Sequence, residues 1–485
     1  MRATRGLWSL GAVACLAAHA SPWQPPGDET LRHDIELLAD AGILRGPITT
    51  WPMSMPEIAR DVRDTGNDAQ LDVSTLAALI RVRRAAQVAA TSSYTGVEVE
   101  IAGAYEPTPL RSFADSPREE GEARFEAGWL GNRLALNARV TVVADPDDDQ
   151  PVRADGSYLG VNIGNFMVSA GYMERWWGPG WDGSLILSTN ARPVPSLTIE
   201  RNYSDPFSWR PLSWLGPWRA SIAVGEAEAS DVAIARVRFL AARVNFKPAL
   251  WFEFGLTRTA QWCGDGRVCD WSAFQDLLVG RDNREDDAGA DTEPGNQMAG
   301  YDLRVRSPWR ALPLAAYAQW IGEDEAGGLP SKFLGLAGIE AWGTTGLGSL
   351  RVRAEFADTT CVFTRREPEF DCAYRNSLFP QGYTYRGRII GHAMDNDSRM
   401  TSFAGLLVRP DGDSFGITLR RTQVNRDGGP HAISEVPLTV DNVELRYSRS
   451  LELAKLTIGV GVDDHKASTG AGLDMRGFVI WRQGF

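Results

Sequence analysis

From Tyr94 to the end of the chain, apolar residues recur at every second position. Val97, Val99 and Ile101 alternate with Glu98, Glu100 and Ala102; Leu350, Val352, Ala354 and Phe356 alternate with Arg351, Arg353 and Glu355; Val443, Leu445 and Tyr447 alternate with Glu444, Arg446 and Ser448. A period of two sends the two sets to opposite faces of a strand, so one face is apolar and the other often charged. Residues 28–90 follow another rhythm. Asp28 can cap a helix whose Leu31, Ile35, Leu38 and Ala39 share a face and which Gly42 stops. A second short helix follows Met55-Pro56, and a third, Ser74 to Ala89, sets Leu76, Leu79, Ile80 and Val88 against Arg81, Arg83 and Arg84. The expected organisation is a helical bundle over 21–92 and an all-β domain over 93–485.

Strand alternation alone does not separate a soluble sandwich from a membrane barrel; connection lengths do. If the first strand rises from the periplasm, external loops fall near 106–121, 144–157, 173–196, 226–231, 262–299, 322–331, 358–398, 426–436 and 463–470. The intervening connections are mostly short: Gly131-Asn132, Gly164-Asn165, Lys247-Pro248, Pro308 to Ala311, Gly343 to Leu347, Pro410 to Asp413 and Ser448 to Ser450, with 204–216 longer than the rule expects. The count is 18 antiparallel strands, an even number with both ends periplasmic, which predicts a transmembrane outer-membrane β-barrel carrying a small periplasmic α-helical bundle. The last strand, Phe478 to Phe485, ends on an aromatic.

The N-terminus fits export. Two arginines, the largely apolar stretch Gly6 to Ala18, and Ala18-His19-Ala20 before Ser21 read as a signal peptide over residues 1–20. No later apolar run reaches the roughly 18 residues of a helical membrane span. Net charge is −12, from 50 basic and 62 acidic residues, with no basic stripe, which argues against nucleic acid as a partner. Cys263, Cys269, Cys361 and Cys372 remain after cleavage, and an even count in an exported chain favours disulfides. Of the three possible pairings, the local pairs Cys263 with Cys269 and Cys361 with Cys372 each close a small loop and are expected; the spacings do not make zinc knuckles.

The densest segment runs Glu174-Arg175-Trp176-Trp177-Gly178-Pro179-Gly180-Trp181-Asp182-Gly183-Ser184-Leu185-Ile186-Leu187-Ser188-Thr189-Asn190-Ala191-Arg192-Pro193. It resembles the hallmark stretch of the capsule-assembly Wzi family of outer-membrane proteins. Leu31 to Gly42, followed by Thr50-Trp51-Pro52, is similar to that family's N-terminal helical region. The resemblance implies an 18-stranded barrel with a periplasmic helical bundle, acting as a lectin-like, non-enzymatic element that ties capsular polysaccharide to the cell surface.

The residues themselves suit sugars. Indoles offer flat apolar faces to pyranose C–H groups, and charged or hydroxyl side chains bond hydroxyls or uronic carboxylates. The candidate polysaccharide-binding set is Glu174, Arg175, Trp176, Trp177, Trp181, Asp182, Ser188, Asn190 and Arg192, with Gly178-Pro179-Gly180 as a rigid turn. The competing reading makes the three tryptophans core or girdle aromatics, and Glu174 with Arg175 an internal ion pair. Catalytic signals are thin. There is no G-x-S-x-G elbow, and His392 with Asp395, or His465 with Asp463 and Asp464, read as solvated loop residues. Asp145, Asp147, Asp148 and Asp149 lack the glycine and glutamate of a calcium loop, and Asp282, Glu285, Asp286 and Asp287 read as another solvated cluster, suited at most to bridging lipopolysaccharide weakly through divalent ions. The expected protein is therefore a monomeric, cofactor-free and metal-free outer-membrane lectin for capsular or exopolysaccharide. The alternatives are a substrate-specific porin and an outer-membrane hydrolase.

Overall fold

A computed structural model describes residues 21–65, 71–89, 94–227, 234–272, 274–275, 295–309, 311–326, 329–376, 379–467 and 470–485. The expected signal peptide and the acidic group at 282–287 lie outside them.

Three helices come first. In α1 (Glu29–Asp40) the Asp28 side chain accepts from the Leu31 N–H at 3.1 Å, satisfying an amide the first turn leaves without a partner. In α2 (Met55–Asp64) Ser54 caps and Pro56 sits in the first turn, where its missing N–H costs nothing. α3 (Val73–Ala89) packs by Ala78, Leu79, Val82 and Ala86 against Ile35, Leu38, Ile58 and Val62. This corrects the face expected for α3: Leu76 and Ile80 are 44% and 59% exposed. Two stripes of this helix are apolar, and packing against α1 and α2 selects the one richer in alanine.

The remaining chain forms a closed antiparallel barrel. Its strands are β1 (Tyr94–Tyr105), β2 (Gly121–Leu130), β3 (Leu134–Ala144), β4 in two pieces (Val152–Arg153 and Tyr158–Ile163), β5 (Phe166–Gly171) and β6 (Ser196–Arg201). Next come β7 (Trp218–Ala227), β8 (Val237–Ala249), β9 (Phe252–Trp262), β10 (Gly295–Arg306), β11 (Leu314–Ala326) and β12 (Leu329–Thr345). The last six are β13 (Gly348–Asp358), β14 (Arg399–Val408), β15 (Ser414–Val424), β16 (Leu438–Ser450), β17 (Ala454–Ala467) and β18 (Gly470–Gly484). Counting the broken β4 once gives the expected 18 strands, and β18 pairs with β1 to close the ring. Some connections are shorter than expected. β11 reaches Ala326 before β12 begins at Leu329, and β17 reaches Ala467 before β18 begins at Gly470.

Burial is inverted relative to a soluble sandwich. Ile101 and Val352 are 59% and 46% exposed, whereas their neighbours Glu100 and Arg351 are 3% and 0% exposed. An apolar belt facing outward around a closed barrel is a lipid face, so the chain is an outer-membrane protein. Inside, the charged set meets the helices. Both faces of α1 are buried: the apolar one on α2 and α3, and the polar one, with Arg32, His33, Asp34, Glu36 and Asp40, within the barrel. Arg304 of β10 forks onto Asp40 at 2.8 and 2.9 Å and reaches Glu340 of β12 at 2.7 Å. Arg351 of β13 lies 3.0 Å from Glu36 and 2.7 Å from Glu340, and donates to His33 Nδ1 at 3.1 Å. The bundle is thus seated in the mouth of the barrel.

Candidate functional site

The segment between β5 and β6, residues 172–195, folds into the lumen. Trp176 and Trp177 pair as a two-residue ribbon with Trp51 and Thr50, which joins the segment to the helical region. A segment without its own sheet must satisfy its amides elsewhere, and barrel-wall side chains do this. The Glu355 carboxylate of β13 accepts the N–H groups of Trp181, Asp182 and Gly183 at 2.8, 3.0 and 3.1 Å, and also the Tyr317 hydroxyl at 2.8 Å. Gln319 of β11 donates to Trp177 O at 2.9 Å and accepts from Leu185 N at 2.8 Å. Gly183 is required by close approach, since a Cβ there would lie 1.9 Å from His392 Nε2.

All nine expected site residues lie in this one segment, most of them buried. Trp176, Trp177 and Trp181 are 1%, 0% and 2% exposed, so in this structure their ring faces meet protein. Trp176 stands edge-on to Phe113 and donates to Gly180 O at 3.0 Å, while the Arg32 guanidinium covers the Trp181 ring at 4.1 Å. Asp182 is bound by Arg420 at 2.9 Å and by the Ser402 hydroxyl at 2.7 Å, and these partners hold its pKa down at about 2 against the opposing effect of burial. Arg175 donates to Met173 O and Thr198 Oγ1 at 3.1 and 2.5 Å; burial lowers its pKa to about 10. Ser188 and Asn190 donate to the carbonyls of Gly391 and Ile389 at 2.5 and 2.9 Å. The internal Glu174–Arg175 pair offered as the competing reading does not form, since Glu174 has no hydrogen-bond or ion-pair partner among the described residues.

Two of the nine, Glu174 and Arg192, are only half-buried. Arg192 forks onto Asp155 at 2.7 and 2.9 Å and reaches Asp148 at 2.7 Å. Asp148 also takes Arg153 at 2.8 Å, and Asp147 takes Arg388 at 2.9 Å, so two members of the acidic group read as a solvated loop are ion-paired instead. Beside them, among the described residues, the Arg118 guanidinium bonds only carbonyls, those of Asn190, Thr189 and Ala191 at 2.6, 2.7 and 3.2 Å. Burial and the neighbouring Arg111 and Arg388 charges lower its pKa to about 9. Sequence reasoning missed Arg118, Arg388 and Glu355, because each sits in its own strand or loop and only the fold gathers them. The two expected disulfides form, Cys263–Cys269 and Cys361–Cys372, with Cα atoms 4.6 and 5.9 Å apart. His392 is buried in the plug and not solvated, which drives its pKa down to about 4. His465 lies 3.2 Å from Asp474. Among the described residues no group of three or more His, Cys, Asp or Glu is arranged to hold a metal.

Residues 106–472 match the sequence model of the family described as capsule assembly protein Wzi. The chain belongs to that family. A curated relative, an uncharacterized 55.8 kDa protein in the cps region of Klebsiella pneumoniae, is 30% identical over 345 residues, which are 69% of this chain. The match spans 66% of that relative, just under two thirds of its length. The solved Escherichia coli Wzi, described as an outer-membrane protein involved in group 1 capsule assembly and a carbohydrate-binding β-barrel, superposes with a TM-score of 0.82 at 23% identity. The superposition covers 95% of this chain and 99% of that one, so the two share the fold.

Proposed function

We propose that this Wzi-family chain is a lectin-like outer-membrane protein that binds capsular or other surface polysaccharide at its external end and helps attach or assemble it there. The observation that carries the reading is the filled lumen: residues 172–195 and the loop residues 359–376 and 379–398 interlock inside the barrel, leaving the outer surface as the place for a ligand. Tyr374 and Tyr383 of that loop donate to Leu185 O and Ile186 O at 2.7 and 2.8 Å. At this surface Glu174 and Arg192, with Arg118 and Arg388, contact sugar hydroxyls and uronic carboxylates. The buried members, Arg175, Trp176, Trp177, Trp181, Asp182, Ser188 and Asn190, hold the surface in place from beneath. The description of the E. coli relative as carbohydrate-binding supports this reading.

In the same reading the chain is monomeric and non-enzymatic, residues 21–92 face the periplasm, and lipopolysaccharide surrounds the outer rim. A filled lumen also weighs against the porin alternative. The test is the pair Arg192→Ala and Glu174→Gln. Both should keep heat-modifiable barrel migration while lowering cell-bound polysaccharide and raising the amount released. Unchanged retention in both folded variants overturns the assignment of this surface, and steady conductance of the wild-type protein in planar bilayers favours a channel.

A further inference from the structure

On the membrane-facing wall, close to the rim that carries the helices, outward side chains of β10 to β14 alternate large and small. One cross-strand row runs Val305, Ala316, Ile339, Ala354 and Phe403. The row nearer the rim runs Leu314, Ala341 and Val352. The alanines lie below their larger neighbours, and the result is an apolar groove of about 510 Å³. Its lower end is formed by Trp309 and Leu312, on the connection between β10 and β11. The same two side chains line a second cavity, of about 350 Å³, on the helix side of the rim.

The second cavity has a different chemistry. Arg306, Asp72, Asp40 and Thr344 line it. The Arg306 Nε is buried and has no hydrogen-bond partner among the described residues. The Asp72 carboxylate accepts from Ser74 N at 3.0 Å, Thr75 N at 3.1 Å and Thr344 Oγ1 at 2.9 Å on one oxygen and from Thr75 Oγ1 at 2.5 Å on the other, with no cationic side chain bonded to it among the described residues. Asp40, by contrast, is already forked by Arg304.

We propose that groove and cavity together hold one zwitterionic phospholipid, with an acyl chain on the alanine floor, the phosphate at Arg306 and the headgroup ammonium at Asp72. Position and charge choose this occupant. The groove opens onto hydrocarbon, which admits only an apolar chain, and a polar group attached to that chain must leave over the rim. Trp309 stands where it leaves, the depth at which indoles settle in membrane proteins. Beyond it wait a guanidinium whose Nε–H no described residue accepts and a carboxylate that is hydrogen-bonded but has no cationic partner among the described residues, the two charges a zwitterionic headgroup complements.

The test uses full-length protein extracted from outer membranes in mild non-ionic detergent, with retained lipid quantified per chain by mass spectrometry after gel filtration. Wild type should keep one zwitterionic phospholipid per chain. Ala316→Trp fills the floor and Arg306→Gln removes the phosphate contact; each should lower retention by about tenfold, the weight of one charge-assisted bond or a comparable steric block. Asp72→Asn should retain lipid but shift it toward anionic headgroups. Equal retention in wild type, Ala316→Trp and Arg306→Gln overturns the site, as does wild type with no lipid near one per chain; an anionic lipid preferred by wild type overturns the headgroup assignment. Ala316 faces outward, away from the outer loops, so polysaccharide retention in Ala316→Trp reports separately on the proposed function.

Discussion

The two ends of the filled lumen are held by different chemistry. At the helix end, wall arginines and carboxylates meet the charged face of α1, with Arg351 between Glu36 and Glu340 and Arg304 between Asp40 and Glu340. At the other end the incoming chain is loop: Asp182 is ion-paired with Arg420, but the carbonyls of this segment and of the loop above it are bonded one by one, by Tyr374, Tyr383, Asn190 and the Arg118 guanidinium. A helix satisfies its own backbone and brings only side chains to a polar wall, so charges can be matched with charges. A loop brings bare amides and carbonyls, which must be bonded one by one. Glu355 belongs to both styles, a wall carboxylate spent on three backbone N–H groups.

The largest expected effect comes from breaking the charged end. Arg351→Ala leaves the buried cluster one cation short, with Glu36 held only by Arg32 and Glu340 only by the Arg304 that Asp40 also binds, and should cost about 3–5 kcal/mol, read as a lower urea midpoint for loss of the heat-modifiable form. If charge is the cause, adding Glu340→Gln to that variant should recover part of the loss; no recovery would mean the helix end is held by packing, like the loop end.

Acid should weaken the loop end next. Burial keeps the His392 pKa near 4, well below an ordinary histidine, so the unfolded chain takes up this proton first as pH falls. The stabilisation is complete above about pH 6.5 and is lost on descent toward pH 4, on the order of 3 kcal/mol in all. His392→Gln, neutral throughout, should flatten that part of the stability profile. An identical profile in both proteins would remove His392 as its source.

The smallest effect tests one neutral hydroxyl. Tyr374→Phe deletes the group that donates to Leu185 O and accepts from His392 N, and should cost about 1–2 kcal/mol. A loss as large as that of Arg351→Ala would erase the distinction between the two ends.

Much of this architecture was legible in the chain itself. Period-two alternation, the order of long and short connections, the Asp28 cap, the Pro56 start and the local cysteine pairs are all short-range signals, carried by residues within a turn or a hairpin of one another. They are enough to count the strands and to place the dense tryptophan segment in one loop. Alternation states that a strand has two faces, but not which medium covers each. Only closure of the barrel put Ile101 and Val352 against lipid and their charged neighbours inside. The same closure decided the fate of the candidate site. Trp181 looks like a sugar platform in sequence, but Arg32 and Phe113 lie over it in the fold, 149 and 68 positions earlier in the chain. Arg351 finds His33 at a separation of 318 residues, and no local pattern records such a pairing, because it exists only once the wall has curved around the helix.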